Sequence, residues 1–368
     1  MIKLLFEVGH LYHRAALDPL YEVFRQDPQY EIAFTCSHDT ERRFGLVNRS
    51  LRSELEACFR AEGLTTTDDT RGFDVVITGD TVRKPQRYGQ TLLCFVNHGT
   101  GIKNLGNAHL QALASTRYQV FVEGQYRVDT YRQAGAAGFS TFHKVGLPKL
   151  DPLFWPGFPT REAILQQLGL DPTKPTVLFA PTYKPTCIDS VRERILTETT
   201  PYNLIMKLHQ YSWRGKYAPH WHHTIYERAV KQYRHAVLIP ADDYNIVPYL
   251  YAADTLISEA SSTMFDFVAL DKIGIIFIVS RAPLKHHDGA ALLIEEPQHF
   301  LEGAFLHIAH PDEIRPAVAE ALRDDPQRRE RLRQYRNHLF FGLDGQASQR
   351  IKAIIERLLA EGGHANCP

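Results

Sequence analysis

An alternation constrains this chain more than any other feature. Short apolar runs rich in β-branched residues recur along it, and stretches with helical spacing lie between them. In the first half the runs are residues 2–8, 31–36, 74–78, 92–97, 118–122 and 142–145. Residues 51–61 are one of the intervening stretches, with Leu51, Leu55, Cys58 and Phe59 at helical spacing. Strand–helix alternation of this kind predicts parallel sheets with helices on both faces.

The pattern breaks once, at "GLPKLDPLFWPGFPT", where Pro148, Pro152, Pro156 and Pro159 crowd together. Such proline density excludes helix and central strand, so an interdomain linker is expected there. The alternation restarts with runs at 176–180, 203–208, 236–239, 254–258 and 273–279, and helical stretches at 160–168, 223–234 and 261–270. From Pro311 onward only helices are expected. A chain of 368 residues is too long for one ordinary core. The expected class is therefore α/β with the GT-B architecture, two Rossmann-like domains facing a cleft, followed by C-terminal helices. The expected division is 1–155, 156–344 and a terminal helix, 345–368, that crosses back to the first domain.

Composition narrows the function. Lys+Arg and Asp+Glu both total 42, so no overall basic field argues for nucleic acid. The five cysteines form no C-x-x-C pair, which fits a reducing compartment. "MIKLLFEVGH" carries Glu7 and reads as a first strand rather than a signal peptide. No run approaches the ~20 apolar residues that span a bilayer, so a cytoplasmic protein is expected.

In open α/β sheets, ligands sit outside the carboxyl ends of the strands, and four such ends carry chemistry. "FVNHGTGIKNLG" sets His98 before Gly99 and Thr100. Its glycines do not have dinucleotide spacing, and His98 reads equally well as a reacting group or as a turn residue. "VLFAPTYK" brings Thr182 to a strand end. "NLIMKLHQY" delivers His209, with Lys207 two residues earlier on the same face. "LISEASSTMFDFVALDK" ends a strand at Glu259 and starts a helix at Ser261, Ser262 and Thr263, where free backbone N–H groups favour phosphate. A carboxylate just before that cap suits a nucleotide ribose. Histidines also cluster at His220, His222 and His223 and at His286-His287-Asp288. Neither group has the i, i+4 spacing of a zinc pair, so no metal and no cofactor are expected.

Taken in order, "NHGTGIKNLG", "VLFAPTYK", "LIMKLHQY", "DDYNIVPYLYAADTLISEASSTMFDFVALDK" and "FFGLDGQASQRI" resemble the CDP-glycerol glycerophosphotransferase family, enzymes of teichoic-acid-type polymer synthesis. Gly101 stands where that family's histidine loop has proline, and Glu259-Ala260 where it has aspartate-tyrosine. The resemblance implies a GT-B fold with an acceptor-side first domain and a donor-binding second domain. It implies a CDP-alditol donor and a polyprenyl-diphosphate-linked saccharide or polymer as acceptor at the inner membrane face, with peripheral membrane contact. The acceptor hydroxyl attacks the alditol-bearing phosphorus and CMP leaves. By the same resemblance, His98 is the general base and His209 steadies charge on the diphosphate. Ser261, Ser262 and Thr263 hold the leaving phosphate oxygens, Glu259 the ribose, and Gly99, Thr100, Thr182 and Lys207 assist. The runner-up is a GT-B glycosyltransferase using a nucleotide sugar, or a UDP-sugar 2-epimerase of the same architecture.

Overall fold

The computed structural model describes the whole chain except residues 37–39, 44–46, 51, 83, 100–106, 137, 184–185, 215–220, 260, 280–294 and 363–368. The apolar runs become strands in chain order: β1 (Ile2–Val8), β2 (Tyr30–Cys36), a hairpin of β3 (Thr40–Arg43) and β4 (Val47–Ser50), β5 (Val75–Thr78), β6 (Leu92–Val96), β7 (Tyr118–Val122) and β8 (Thr141–Lys144). Apart from the hairpin, all pair in parallel in the order β2-β1-β5-β6-β7-β8. Every residue of β5, β6 and β7 is buried, which is why these strands read as unbroken apolar runs rather than alternating ones. Register levels their carboxyl ends, since Glu7 pairs with Thr78 and Thr78 with Phe95. Whatever follows β1, β5 and β6 therefore emerges on one edge.

The second sheet contains β9 (Thr176–Phe179), β10 (Asn203–Met206), β11 (Ala236–Leu238), β12 (Thr255–Ser258), β13 (Ile275–Phe277) and β14 (Leu306–Ile308). Its order is β11-β10-β9-β12-β13-β14, again parallel. Counted within the sheet this is 3-2-1-4-5-6, the doubly wound order whose switch point lies between the first and fourth strands. Phe179 pairs with Met206 on one side and Ile257 on the other, so the segments after β9, β10 and β12 leave side by side.

The chain divides into one unit of residues 1–98, 107–156 and 339–368 and another of 99–106 and 157–338. Helix Ala347–Ala360 belongs to the first unit and buries Ala347, Ser348, Ile351 and Ile355. Asp151 satisfies its first turn, accepting from the backbone N–H of Ala347 at 3.1 Å and of Ser348 at 2.6 Å. Lys352 of the same helix reaches Asp27 at 2.7 Å. The approach of residue 339 fixes Gly124, because any Cβ there would lie 2.1 Å from the Leu339 carbonyl oxygen.

Besides the β3–β4 hairpin, which lies where no strand was expected, two parts differ from the sequence expectation. The proline-dense stretch is not bare linker. Pro148–Phe154 forms a 3-10 helix with Pro148, Lys149, Leu150 and Asp151 buried, because proline suits a first helical position and the turn is too short to need its missing N–H. The second is β14, a sixth strand beyond the expected runs. Three residues with a central histidine give no periodic signal.

Candidate active site

In the first unit the sheet's switch point lies between β1 and β5, and the segments that follow them carry Gly9–His13 and Gly79–Asp80. One strand further along, β6 delivers His98, which is half-buried. Its Nδ1 lies 2.6 Å from the Gly79 carbonyl oxygen. A carbonyl only accepts, so Nδ1 carries the proton and the neutral ring has its lone pair on Nε2. Gly79 itself is constrained, because a Cβ there would stand 3.0 Å from that of His13.

His13 is buried, and its ring centroid lies 4.3 Å from that of His98. Neither of its ring nitrogens has a hydrogen-bond partner among the described residues. Burial holds His13 well below the ordinary histidine value, and the neighbouring His98 and His10 push the same way. Burial also lowers His98, while the Asp80 charge and the bond to Gly79 pull it partly back up. Asp80 accepts from the Thr81 N–H at 2.7 Å and meets His109 Nε2 at 3.0 Å. Desolvation alone would raise its carboxyl. The pairing with His109 and the charges of His13 and His98 outweigh that and hold it well below the usual carboxylate range. Sequence reasoning found His98 but missed His10, His13, Asp80 and His109. The signal was available, since "VGH" and "TGD" close the first and third apolar runs as "VNHG" closes the fourth.

In the second unit β10 leads to His209, the N-cap of the 3-10 turn Gln210–Ser212. Here Nδ1 accepts from the Tyr211 backbone N–H at 3.1 Å, so the proton is on Nε2. Its ring packs against Tyr183 and Tyr211, with centroids 4.7 and 5.3 Å away. Lys207 has its ammonium lowered by burial, against the opposing pull of Asp243 and Asp242.

The segments after β9 and β12 meet at the switch point. The Ser258 hydroxyl donates to the Ala180 carbonyl at 2.7 Å. Glu259 is buried, and its carboxylate accepts from the backbone N–H of Thr182 at 2.8 Å and, through its other oxygen, from that of Cys187. Burial raises this carboxyl despite those bonds. The ribose contact expected from the sequence meets a carboxylate whose two oxygens already hold the loop after β9, because the strand order places that loop directly beside it. Ser261 caps helix Ser262–Ala269, its Oγ accepting from the Thr263 N–H at 3.3 Å and the Thr263 hydroxyl at 2.9 Å. No acidic residue stands in that helix's first turn.

Gly99 is half-buried, whereas Thr100 lies outside the described residues, as do His220, His286, His287 and Asp288. His222 is buried with Nε2 3.2 Å from Asp189, and His223 bonds the Ser212 carbonyl and stacks on Trp213. Both are packing histidines. Among the described residues no group of three or more histidine, cysteine or acidic side chains is arranged to hold a metal.

No curated protein sequence matches the chain significantly. Similar solved structures include the wall teichoic acid polymerase TagF in a histidine variant, with 15% identity, 99% of this chain and 90% of that one covered, and a TM-score of 0.66. The same variant soaked with CDPG gives 15%, 98%, 90% and 0.67. The S. aureus MnaA–UDP structure gives 13% identity, 98% and 97% coverage and a TM-score of 0.59. Identities this low establish the fold alone, which is GT-B, and a fold shared with these proteins does not choose a donor. The sequence family does: the model for CDP-glycerol:poly(glycerophosphate) glycerophosphotransferases matches residues 13–357, and the chain belongs to that family of enzymes.

Proposed function

We propose that His98 and His209 take separate parts in the transfer chemistry. His98 removes the proton from the acceptor hydroxyl, and His209 donates to the diphosphate of CDP-glycerol. The acceptor oxygen forms a bond to the glycerol-bearing phosphorus while the bond from that phosphorus to the bridging oxygen breaks. CMP leaves with the bridging oxygen, and the proton stays on His98 Nε2 until solvent takes it.

The observation that carries this reading is the pair of opposite tautomers. A base needs a lone pair, and the Gly79 carbonyl leaves one on His98 Nε2. A group that steadies phosphoryl charge needs a donor, and the Tyr211 N–H leaves the proton on His209 Nε2. The same division of roles is the one the family resemblance implies for these two strand-end histidines. In the same reading, the leaving phosphate oxygens meet Ser261, Ser262 and Thr263 at a helix start with no opposing acid. Gly99, Thr182 and Lys207 assist, the last as a partly desolvated cation. Glu259 acts by holding the loop that presents Thr182.

The test is kinetic. His98→Ala should leave the donor KM nearly intact and lower kcat by roughly 10²–10⁴-fold. His209→Ala should damage both, since the diphosphate loses a partner in ground and transition states. A fully active His98→Ala enzyme would return that histidine to a turn-capping role.

The acceptor in this reading is a polyprenyl-diphosphate-linked saccharide or growing poly(alditol phosphate), a cell-surface polymer precursor met at the cytoplasmic face of the membrane. No helix among the described residues is long and apolar enough to cross a bilayer, so contact would be peripheral. The exposed Trp221 supports a surface of that kind. Vesicles containing anionic lipid should then sediment the enzyme at low salt and release it at high salt. Indifference to both would remove the membrane contact from the proposal.

A further inference from the structure

We propose that Asp80, clamped by His109, is the positioning carboxylate of His98, stabilising the imidazolium that forms when His98 takes the acceptor proton. This rests on the assignment of His98 as base. It goes further by naming a residue on a neighbouring strand end that acts through it.

The geometry is that of a short relay across the carboxyl edge of the first sheet. Gly79 and Asp80 are consecutive, and they hold His98 in two ways. The Gly79 carbonyl fixes the ring's proton on Nδ1 at 2.6 Å. The adjacent Asp80 carboxylate supplies the negative charge that favours a protonated His98. Asp80 is itself constrained. Its Oδ1 takes the Thr81 N–H at 2.7 Å and faces His109 Nε2 at 3.0 Å, and the Thr78 hydroxyl donates to its backbone carbonyl at 2.8 Å.

Of the other groups facing His98, His10 from the segment after β1 and Lys149 from the 3-10 helix Pro148–Phe154 oppose its protonation, while the rings of His13 and Tyr12 lie 4.3 and 5.7 Å away. His13 is buried with neither nitrogen partnered, so a positive charge there is strongly disfavoured. Asp80 acts on both rings, but only His98 has a bonded ring nitrogen and a half-buried position, so a proton arriving at this cluster goes to His98 rather than to His13. An isolated histidine at a strand end would have neither the directing bond nor the balancing charge.

The step balances. The acceptor O–H bond breaks toward His98 Nε2, the oxygen bonds phosphorus as the bond from phosphorus to the bridging oxygen breaks and CMP leaves, and the ring becomes a cation bonded to the Gly79 carbonyl and offset by the Asp80 charge. No oxidant, metal or further reactant is required.

The experiment uses the full chain carrying ¹³C-labelled histidine, with His98 assigned by its loss in His98→Ala. In Asp80→Asn the His98 titration midpoint should fall by about one pH unit, the usual scale for removing a nearby opposite charge. CMP release from CDP-glycerol, with a short oligo(glycerol phosphate) as acceptor, should drop roughly tenfold or more in kcat, a part of what the base supplies. The donor KM should stay within about twofold, and the acid limb of the rate profile should move down in pH with the His98 midpoint. His109→Gln keeps a donor near Asp80 without a charge, and should shift His98 in the other direction or not at all. It also covers the case in which Asp80→Asn fails to fold. There, a His98 midpoint that falls in His109→Gln as far as it does on losing a carboxylate would overturn the inference. So would a His98 midpoint unmoved in a folded Asp80→Asn, even with activity lost, since that is what a purely structural aspartate gives. The base assignment fails separately, through a fully active His98→Ala.

Discussion

At the scale of single residues, the histidines show how much chemistry depends on a neighbour's backbone. His98 and His209 are each a strand-end histidine beside a turn, and the partner of Nδ1 gives them opposite tautomers. His13 offers a test that does not involve turnover. Its folded form is held well below the ordinary value of about 6.5, so the unfolded chain takes up a proton that the folded one refuses. Its contribution is therefore present above about pH 6.5 and is lost as pH falls toward the depressed folded value, by up to about 1.4 kcal/mol per pH unit. His143, His235 and His307 are lowered by burial too, so all push in one direction. His13→Phe keeps a buried ring but cannot titrate. Denaturant unfolding between pH 6.5 and 5 should show a shallower loss of stability for this variant than for the wild type, and equal slopes would exclude the burial effect.

At the scale of elements, the sequence and the structure agree most closely where periodicity is strongest. Eleven apolar runs became strands because a parallel sheet buries both faces, which leaves a continuous apolar signature. The helix start at Ser261 was equally legible, because a cap of serine before an apolar face has a local cause. What local sequence could not give was adjacency. Glu259 was assigned a sugar because it precedes a phosphate-type cap. That β9 lies next to β12, and that the loop after β9 would occupy both carboxylate oxygens, depends on strand order. The corresponding prediction concerns stability. Glu259→Ala strands two buried backbone N–H groups, of Thr182 and Cys187, and should cost about 2–5 kcal/mol. Equilibrium unfolding at pH 7 measures it, and a loss confined to the donor KM, with stability unchanged, would leave the ribose as the partner that matters.

At the scale of the whole molecule, two parallel sheets were legible as an alternation interrupted by prolines. The switch point of the first sheet was not, because a switch is a property of strand order and appears in no single run. That is also why the His10, His13 and Asp80 cluster escaped notice while its most recognisable member, His98, did not. One feature of the first unit bears on how such a chain comes into being. Asp151 holds the start of a helix that begins 196 residues later, and Lys352 of that helix reaches back to Asp27. The strands of the first sheet are thus synthesised early, while the helix that packs on helix Arg14–Arg25 and on the turn Pro148–Phe154 leaves the ribosome after the entire second unit. During that interval the apolar surface meant for Ile351 and Ile355 has no native cover, and contacts of such long sequence separation form slowly. The polypeptide's own order of synthesis makes the second unit the first to be complete.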